Sequence, residues 1–274
     1  MSERSELPEH TIHGDGSTTV FLLHGAYGGG AYFDNAAQVI SDAGYRVVVW
    51  NAPGYGGTDL PPDASIPYYA DALSALVRAV GTETNVVLGH SMGALIAPLA
   101  TNNEPQIHGL VLSSASAGFA SRTPEDQKRY LAERLTPIEG GMTVAEYVRP
   151  LLASMMGPGA SGPLVEHVKE VIVDMRTETL ASSIRAIAGY EARPALKALS
   201  VPTLLLAGTE DTACPVAGMR KIHEMVAGSE IHELEGVGHY GFAESPDEYL
   251  GHLLKFLGRR FPASASASTA ATKG

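Results

Sequence analysis

Between Val86 and Ala97 the chain runs from three apolar residues, Val86-Val87-Leu88, through Gly89-His90-Ser91-Met92-Gly93, into a second apolar run, Ala94-Leu95-Ile96-Ala97. A short apolar run bounded by glycine reads as a buried strand, and the run after it as the opening of a buried helix. Strand, turn and helix in so few residues force the turn's central residue into a strained conformation, and only small residues fit two places to either side. Gly89 and Gly93 hold those places. The pattern is G-x-S-x-G, a nucleophile elbow. It lifts the Ser91 hydroxyl clear of the sheet and leaves the Met92 N–H free at a helix N-terminus, where partial positive charge gathers. Ser91 is the leading candidate for a covalent nucleophile. Five-residue matches also arise by chance in glycine-rich turns, so the rest of the chain has to supply the partners.

The same alternation of strand and helix continues on both sides. Strand-like runs cover 19–23, 46–50, 85–88, 110–113, 201–207 and 230–234. Between them Ile66, Tyr69, Ala70, Leu73, Leu76, Val77 and Val80 recur at helical spacing, as do Leu250, Leu253, Leu254 and Leu257. Such alternation predicts an α/β fold, a mostly parallel sheet with helices on both faces. It is interrupted once. Residues 119–199 hold several helical patterns and no strand-like run, so this stretch is expected to pack over the strand ends as a helical cap, or lid, between core segments 1–118 and 200–260. Gly140-Gly141 and the segment 157–163 divide it into helices. The low-complexity tail, 261–274, is expected to be disordered.

Composition narrows the function. The 274 residues include 30 acidic and 19 basic ones, a formal net charge of -11, which disfavours nucleic acid and anionic membranes as partners. The single cysteine, Cys214, excludes an internal disulfide and a multi-cysteine zinc site. No apolar run is long enough to span a membrane, and the charged first residues lack a secretory pattern. A cytoplasmic location is expected.

A serine hydroxyl is a weak nucleophile at neutral pH, so it needs a base, and the base needs a partner that fixes its tautomer. His239 follows Gly236-Val237-Gly238 just beyond the last strand-like run, at the end of the sheet where ligands meet such folds. His223, His232 and His252 fall on polar faces instead. The acid should lie between Ser91 and His239. Asp211, three residues past Gly208 at the end of a buried strand, is the choice, with Glu210 as the alternative. Two backbone donors are needed for a developing oxyanion: Met92 supplies one, and Ala26, in the loop His24-Gly25-Ala26-Tyr27-Gly28-Gly29-Gly30, the other. No G-K-[ST] follows that loop, so it is not a nucleotide P-loop. His10 and His13 have a spacing that could bind a metal, but no further ligands join them, and an irregular terminus is expected there.

With these residues in the order serine, acid, histidine, the chain resembles the α/β-hydrolase superfamily over about residues 15–258. Two further segments carry the resemblance. Asn51-Ala52-Pro53-Gly54-Tyr55-Gly56-Gly57-Thr58-Asp59 is similar to the family's D-x-P-G-x-G-x-S-D loop, and Gly238-His239 followed by Glu244-Ser245-Pro246 to its G-H-x(4)-E-x-P. The family's two leading antiparallel strands would have to fit in 18 residues, so that edge should be short or missing. Serine at the nucleophile position argues against the dehalogenase and epoxide hydrolase branches. His90 in place of asparagine, and Trp50 as the only tryptophan, move C–C bond hydrolysis to second place. The resemblance implies an esterase or enol-lactonase with a small-molecule ester or lactone substrate and no cofactor or metal; a ligand-binding relative with slow turnover is the rival of another class. Tyr27, His90, Met155, Met156 and Met175 are the expected substrate contacts, and Asp174, Arg176, Arg185 and Arg193 could meet a carboxylate-bearing substrate.

Overall fold

Residues 7–263 apart from Asp174 are described by the computed structural model of the chain. The strands are β1 (His10–His13), β2 (Thr18–Leu23), β3 (Arg46–Trp50), β4 (Thr84–His90), β5 (Ile107–Ser113), β6 (Thr203–Gly208) and β7 (Glu230–Leu234). They form one sheet in the order β1-β3-β2-β4-β5-β6-β7. β1 runs antiparallel to β3, and every other pairing is parallel. This is the α/β architecture expected from the alternation.

Successive side chains on a strand point to opposite faces, so each buried strand feeds two cores. Val20, Leu22, Val47 and Val49 face α1 (Asp34–Asp42) and α11 (Pro246–Arg260), through Ile40, Leu253 and Phe256. Phe21, Leu23, Val48 and Val87 face α2 (Ile66–Val80) and α3 (Gly93–Asn103), through Leu73, Val77 and Ile96. Each such buried side chain contributes about 1.5–3 kcal/mol relative to exposure. Ser65 caps α2 by accepting from the Tyr68 amide, and Pro67 fits its first turn, where no intrahelical N–H bond is lost.

Between β5 and β6 lie α4 (Pro124–Glu139), α5 (Val144–Met155), α6 (Pro163–Val173), α7 (Thr177–Ala188) and α8 (Arg193–Lys197), and no strand among the described residues. α9 (Val216–Met225) and the short α10 (Gly241–Glu244) complete the order. α5 opens with a capping box, Thr143 and Glu146 each satisfying the other's backbone amide. α7 is docked onto the loop after β3: Thr179 Oγ1 donates to the Gly54 carbonyl at 2.6 Å, and Arg176 donates to the Gly54 and Thr58 carbonyls.

Two expectations change. The segment with His10 and His13 is a strand, not an irregular terminus, and it supplies the short antiparallel edge. Residues three apart on a strand point to opposite faces, so these histidines do not converge on one ion. Phe261, expected to begin the disordered tail, is buried against Phe256 at 5.9 Å between ring centres. Residues 264–274 of that expected tail lie outside the described residues.

Candidate active site

The chain passes from β2 out to β3 and then back to β4 on β2's other side, so the strand order reverses between β2 and β4. Loops leaving the carboxyl ends of two such strands diverge and open a crevice. The glycine-rich loop 24–30 leaves β2, and the elbow leaves β4.

Ser91 sits at the elbow with φ +54, a left-handed conformation that costs a non-glycine residue roughly 1–2 kcal/mol. The neighbours leave no room for side chains. A Cβ on Gly89 would lie 2.3 Å from the Gly93 carbonyl oxygen, and one on Gly93 would lie 2.5 Å from that of Leu23. The Ser91 N–H donates to the Ser113 carbonyl at 3.0 Å, and the Ser91 carbonyl accepts from Ala94, which locks the turn onto β5 and α3.

His239 and Asp211 come from the loops after β7 and β6. His239 Nδ1 donates to Asp211 Oδ2 at 2.8 Å, with both side chains sealed from solvent. Asp211 Oδ1 accepts from the Ala213 and Cys214 amides at 2.9 and 2.8 Å. Burial alone would raise the Asp211 pKa, but the His239 charge and these hydrogen bonds outweigh it and hold the carboxyl below its usual range. Glu210, the alternative acid, is exposed. The His239 backbone is clamped as well: its N–H donates to the Met155 carbonyl at 2.8 Å, and its carbonyl accepts from Ser114 Oγ at 2.9 Å. Ser114 is itself held at φ +49. Glu244 accepts from three amides around this loop, those of Gly157, Gly238 and Tyr240, at 2.7, 2.9 and 2.9 Å.

The loop after β2 is fastened from several sides. His24 Nε2 accepts from the Ala52 amide at 3.0 Å, so its Nδ1 carries the proton and donates to the Gly25 carbonyl at 2.8 Å. Burial lowers the His24 pKa to about 4, which keeps that tautomer neutral. Gly25 N–H donates to the Tyr32 hydroxyl, and the Tyr55 hydroxyl donates to the Ala26 carbonyl while hydrogen-bonding Ser183 of α7 at 2.7 Å. A Cβ on Gly25 would lie 2.9 Å from Ser91 Cβ, so glycine lets this loop approach the elbow. The Ala26 and Met92 amides donate to no acceptor among the described residues.

A cavity of about 140 Å³ lies between this sheet edge and the helices of 119–199, lined by Ser91, Ala26, Met92, Tyr27 and Met155 together with Phe119, Tyr130, Arg134, Leu151 and Ile187. The other expected contacts lie elsewhere. His90 is fully buried beneath the elbow, its ring 4.8 Å from that of His239, because the residue before the nucleophile still points into the layer under the sheet edge. Met156 is buried in the core at the C-terminus of α5. Met175 lines a separate depression with Asn51, Gly54 and Arg176. Arg185 and Arg193 pair with Glu139 and Glu191, and Asp174 is outside the described residues. Arg134 of α4, which no sequence motif marks, is the insertion's arginine on the cavity wall.

Cys214 also lines the cavity, and its sulfur lies within 4.8 Å of the ligand atoms of Asp211 and His239. Burial, then the Asp211 charge, push the thiol pKa well up, so it stays protonated and is not an activated nucleophile. These three groups could hold a soft cation only by displacing the proton shared by His239 and Asp211.

A model of the alpha/beta hydrolase family matches residues 20–251, and the chain belongs to that family. Among its relatives, 2-hydroxy-6-oxononadienedioate/2-hydroxy-6-oxononatrienedioate hydrolase 2 of Pseudomonas putida is 27% identical over 89% of each chain. Karrikin insensitive 2 receptor IA of Petunia hybrida is 23% identical over 97% of this chain and all of the relative. An esterase from Exiguobacterium antarcticum, at 21% identity, superposes with a TM-score of 0.81 over 91% of this chain and 96% of its own, a similarity of fold alone. No helix among the described residues is long and apolar enough to cross a membrane.

Proposed function

We propose that the protein is a serine hydrolase that cleaves a small carboxylic ester or lactone through an acyl-enzyme on Ser91. The observation that carries this reading is the buried His239–Asp211 hydrogen bond on the sheet edge from which the strained Ser91 projects. In this mechanism His239 Nε2 takes the Ser91 proton as Oγ attacks the carbonyl, and Asp211 holds the ring's tautomer and stabilises the imidazolium. The Ala26 and Met92 amides receive the oxyanion. His239 then protonates the departing oxygen, and water repeats the attack to release the acid. The helices of 119–199 act as the lid that sets substrate size.

A second reading, ligand recognition with slow or no turnover, is supported by the similarity to the Petunia receptor. A fluorophosphonate probe with intact-mass detection tests the first reading. One adduct on the wild type and none on Ser91→Ala is expected, and equal labelling of both would overturn it. Labelling without turnover of any ester, lactone or diketone would favour the second.

A further inference from the structure

The catalytic cavity has one formal charge among its described lining residues, and it is positive. The chain as a whole carries 30 acidic against 19 basic residues, yet Arg134 of α4 faces this cavity and no carboxylate lines it. The other arginines singled out in the insertion are occupied: Arg176 by the Gly54 and Thr58 carbonyls, Arg185 by Glu139, Arg193 by Glu191. Arg134 makes two long contacts, both through Nη1: to the Tyr130 carbonyl at 3.4 Å and to its exposed neighbour Glu133 at 3.6 Å. Its guanidinium lies 3.8 Å from the centre of the Tyr130 ring, which fixes its plane and leaves Nε and Nη2 to donate to a ligand.

A second donor lines the same wall. The Tyr27 hydroxyl is buried, with the Tyr147 hydroxyl as its polar neighbour but no hydrogen bond of good geometry. Burial holds that phenol protonated, so what it offers an anion is a proton donor. Phe119, Leu151 and Ile187 make the rest of the wall apolar.

From this geometry we infer that the acyl group of the substrate ends in a carboxylate, received by the Arg134 guanidinium and the Tyr27 hydroxyl. The inference rests on the serine-hydrolase reading. The volume, about 140 Å³, is close to that of a cavity that admits benzene, so the acyl chain is short, roughly four to six carbons. A half-ester of a short dicarboxylic acid has this chemistry. Ser91 Oγ would form the acyl ester as the alcohol leaves with the proton carried by His239, and water would then release the dicarboxylate.

The test pairs monomethyl succinate with methyl butyrate and follows methanol release. The wild type should favour the succinate ester in kcat/KM. Arg134→Met should lower that preference about tenfold or more, chiefly through KM, with Arg134→Lys recovering part of it and Tyr27→Phe losing a few-fold. Calorimetric titration of succinate into Ser91→Ala should show binding that Ser91→Ala/Arg134→Met lacks. An unchanged preference in Arg134→Met, or equal succinate binding in both proteins, overturns the inference. If the fluorophosphonate fails to label Ser91 while succinate binding still depends on Arg134, the hydrolase reading falls and the anion site stands.

Discussion

Asp211 Oδ2 accepts the Nδ1 proton of His239 at 2.8 Å, and the two groups reach that contact from loops after different strands, β6 and β7. The carboxylate's other oxygen is held by two amides, so the pair is preoriented and the imidazole has its Nε2 free of the Nδ1 proton. Asp211→Asn keeps the shape but favours the wrong tautomer. Ester turnover should fall by roughly three to four orders of magnitude, with KM changed far less, in steady-state assays against the wild type. A loss under tenfold would remove Asp211 from the catalytic role.

The elbow makes a stability prediction. Gly89→Ala would drive a methyl group to 2.3 Å from the Gly93 carbonyl, and both atoms are backbone-anchored. Urea unfolding should show a loss of about 2 kcal/mol or more, whereas Gly218→Ala, on α9 with open space at its Cβ, should be neutral or stabilising by about 0.5–1 kcal/mol.

Glu244 ties the segment after α5 to the loop that carries His239 by accepting from Gly157, Gly238 and Tyr240. Glu244→Gln replaces one acceptor oxygen with an NH2 that must face one or two of these amides. A destabilisation of roughly 1–3 kcal/mol is expected, together with a lower kcat from a misplaced His239. Amide hydrogen exchange should report faster exchange at Gly157, Gly238 and Tyr240, and unchanged exchange there would show that the clamp is dispensable.

Acid should weaken the fold before the carboxylates titrate. His24 takes a proton near pH 6.5 in an unfolded chain but only near pH 4 when buried. Between those values the unfolded state binds more protons, so stability is full above about pH 6.5 and falls as pH drops toward 4, by about 3 kcal/mol from this residue. His90, whose pKa is lowered first by burial and then by the His239 charge, acts in the same direction. Asp211, held below the usual range, extends the loss to lower pH. Urea midpoints at about pH 7 and pH 4.5 should show the decline, and His24→Asn, which cannot titrate there, should flatten it.

The elbow was legible because strand, turn and helix are local: Val86–Ala97 contains every residue that sets the turn's geometry. Strand positions were equally readable from apolar runs; β3 and β7 match their expected bounds, and α2 covers the stripe from Ile66 to Val80. β1 was missed because His-Thr-Ile-His is a half-exposed edge with one apolar residue, and its partner β3 is more than thirty residues away. The insertion's contacts resisted reading for a related reason. Met155 and Arg134 face the cavity while Met156 and Met175 do not, and adjacent residues on one helix end differ only by the rotation of that helix over the sheet.

The sequence alone therefore determined the α/β architecture, the serine turn and the order in which a serine, a carboxylate and a histidine arrive at one sheet edge. All of these follow from local periodicity and chain order. Tertiary structure decided which carboxylate meets His239, that His90 lies beneath the elbow, and that Arg134 is the insertion's arginine on the cavity wall. Those outcomes depend on loops from separate strands and on how five helices settle over them, and distances across such packing are not written in the spacing of residues along the chain.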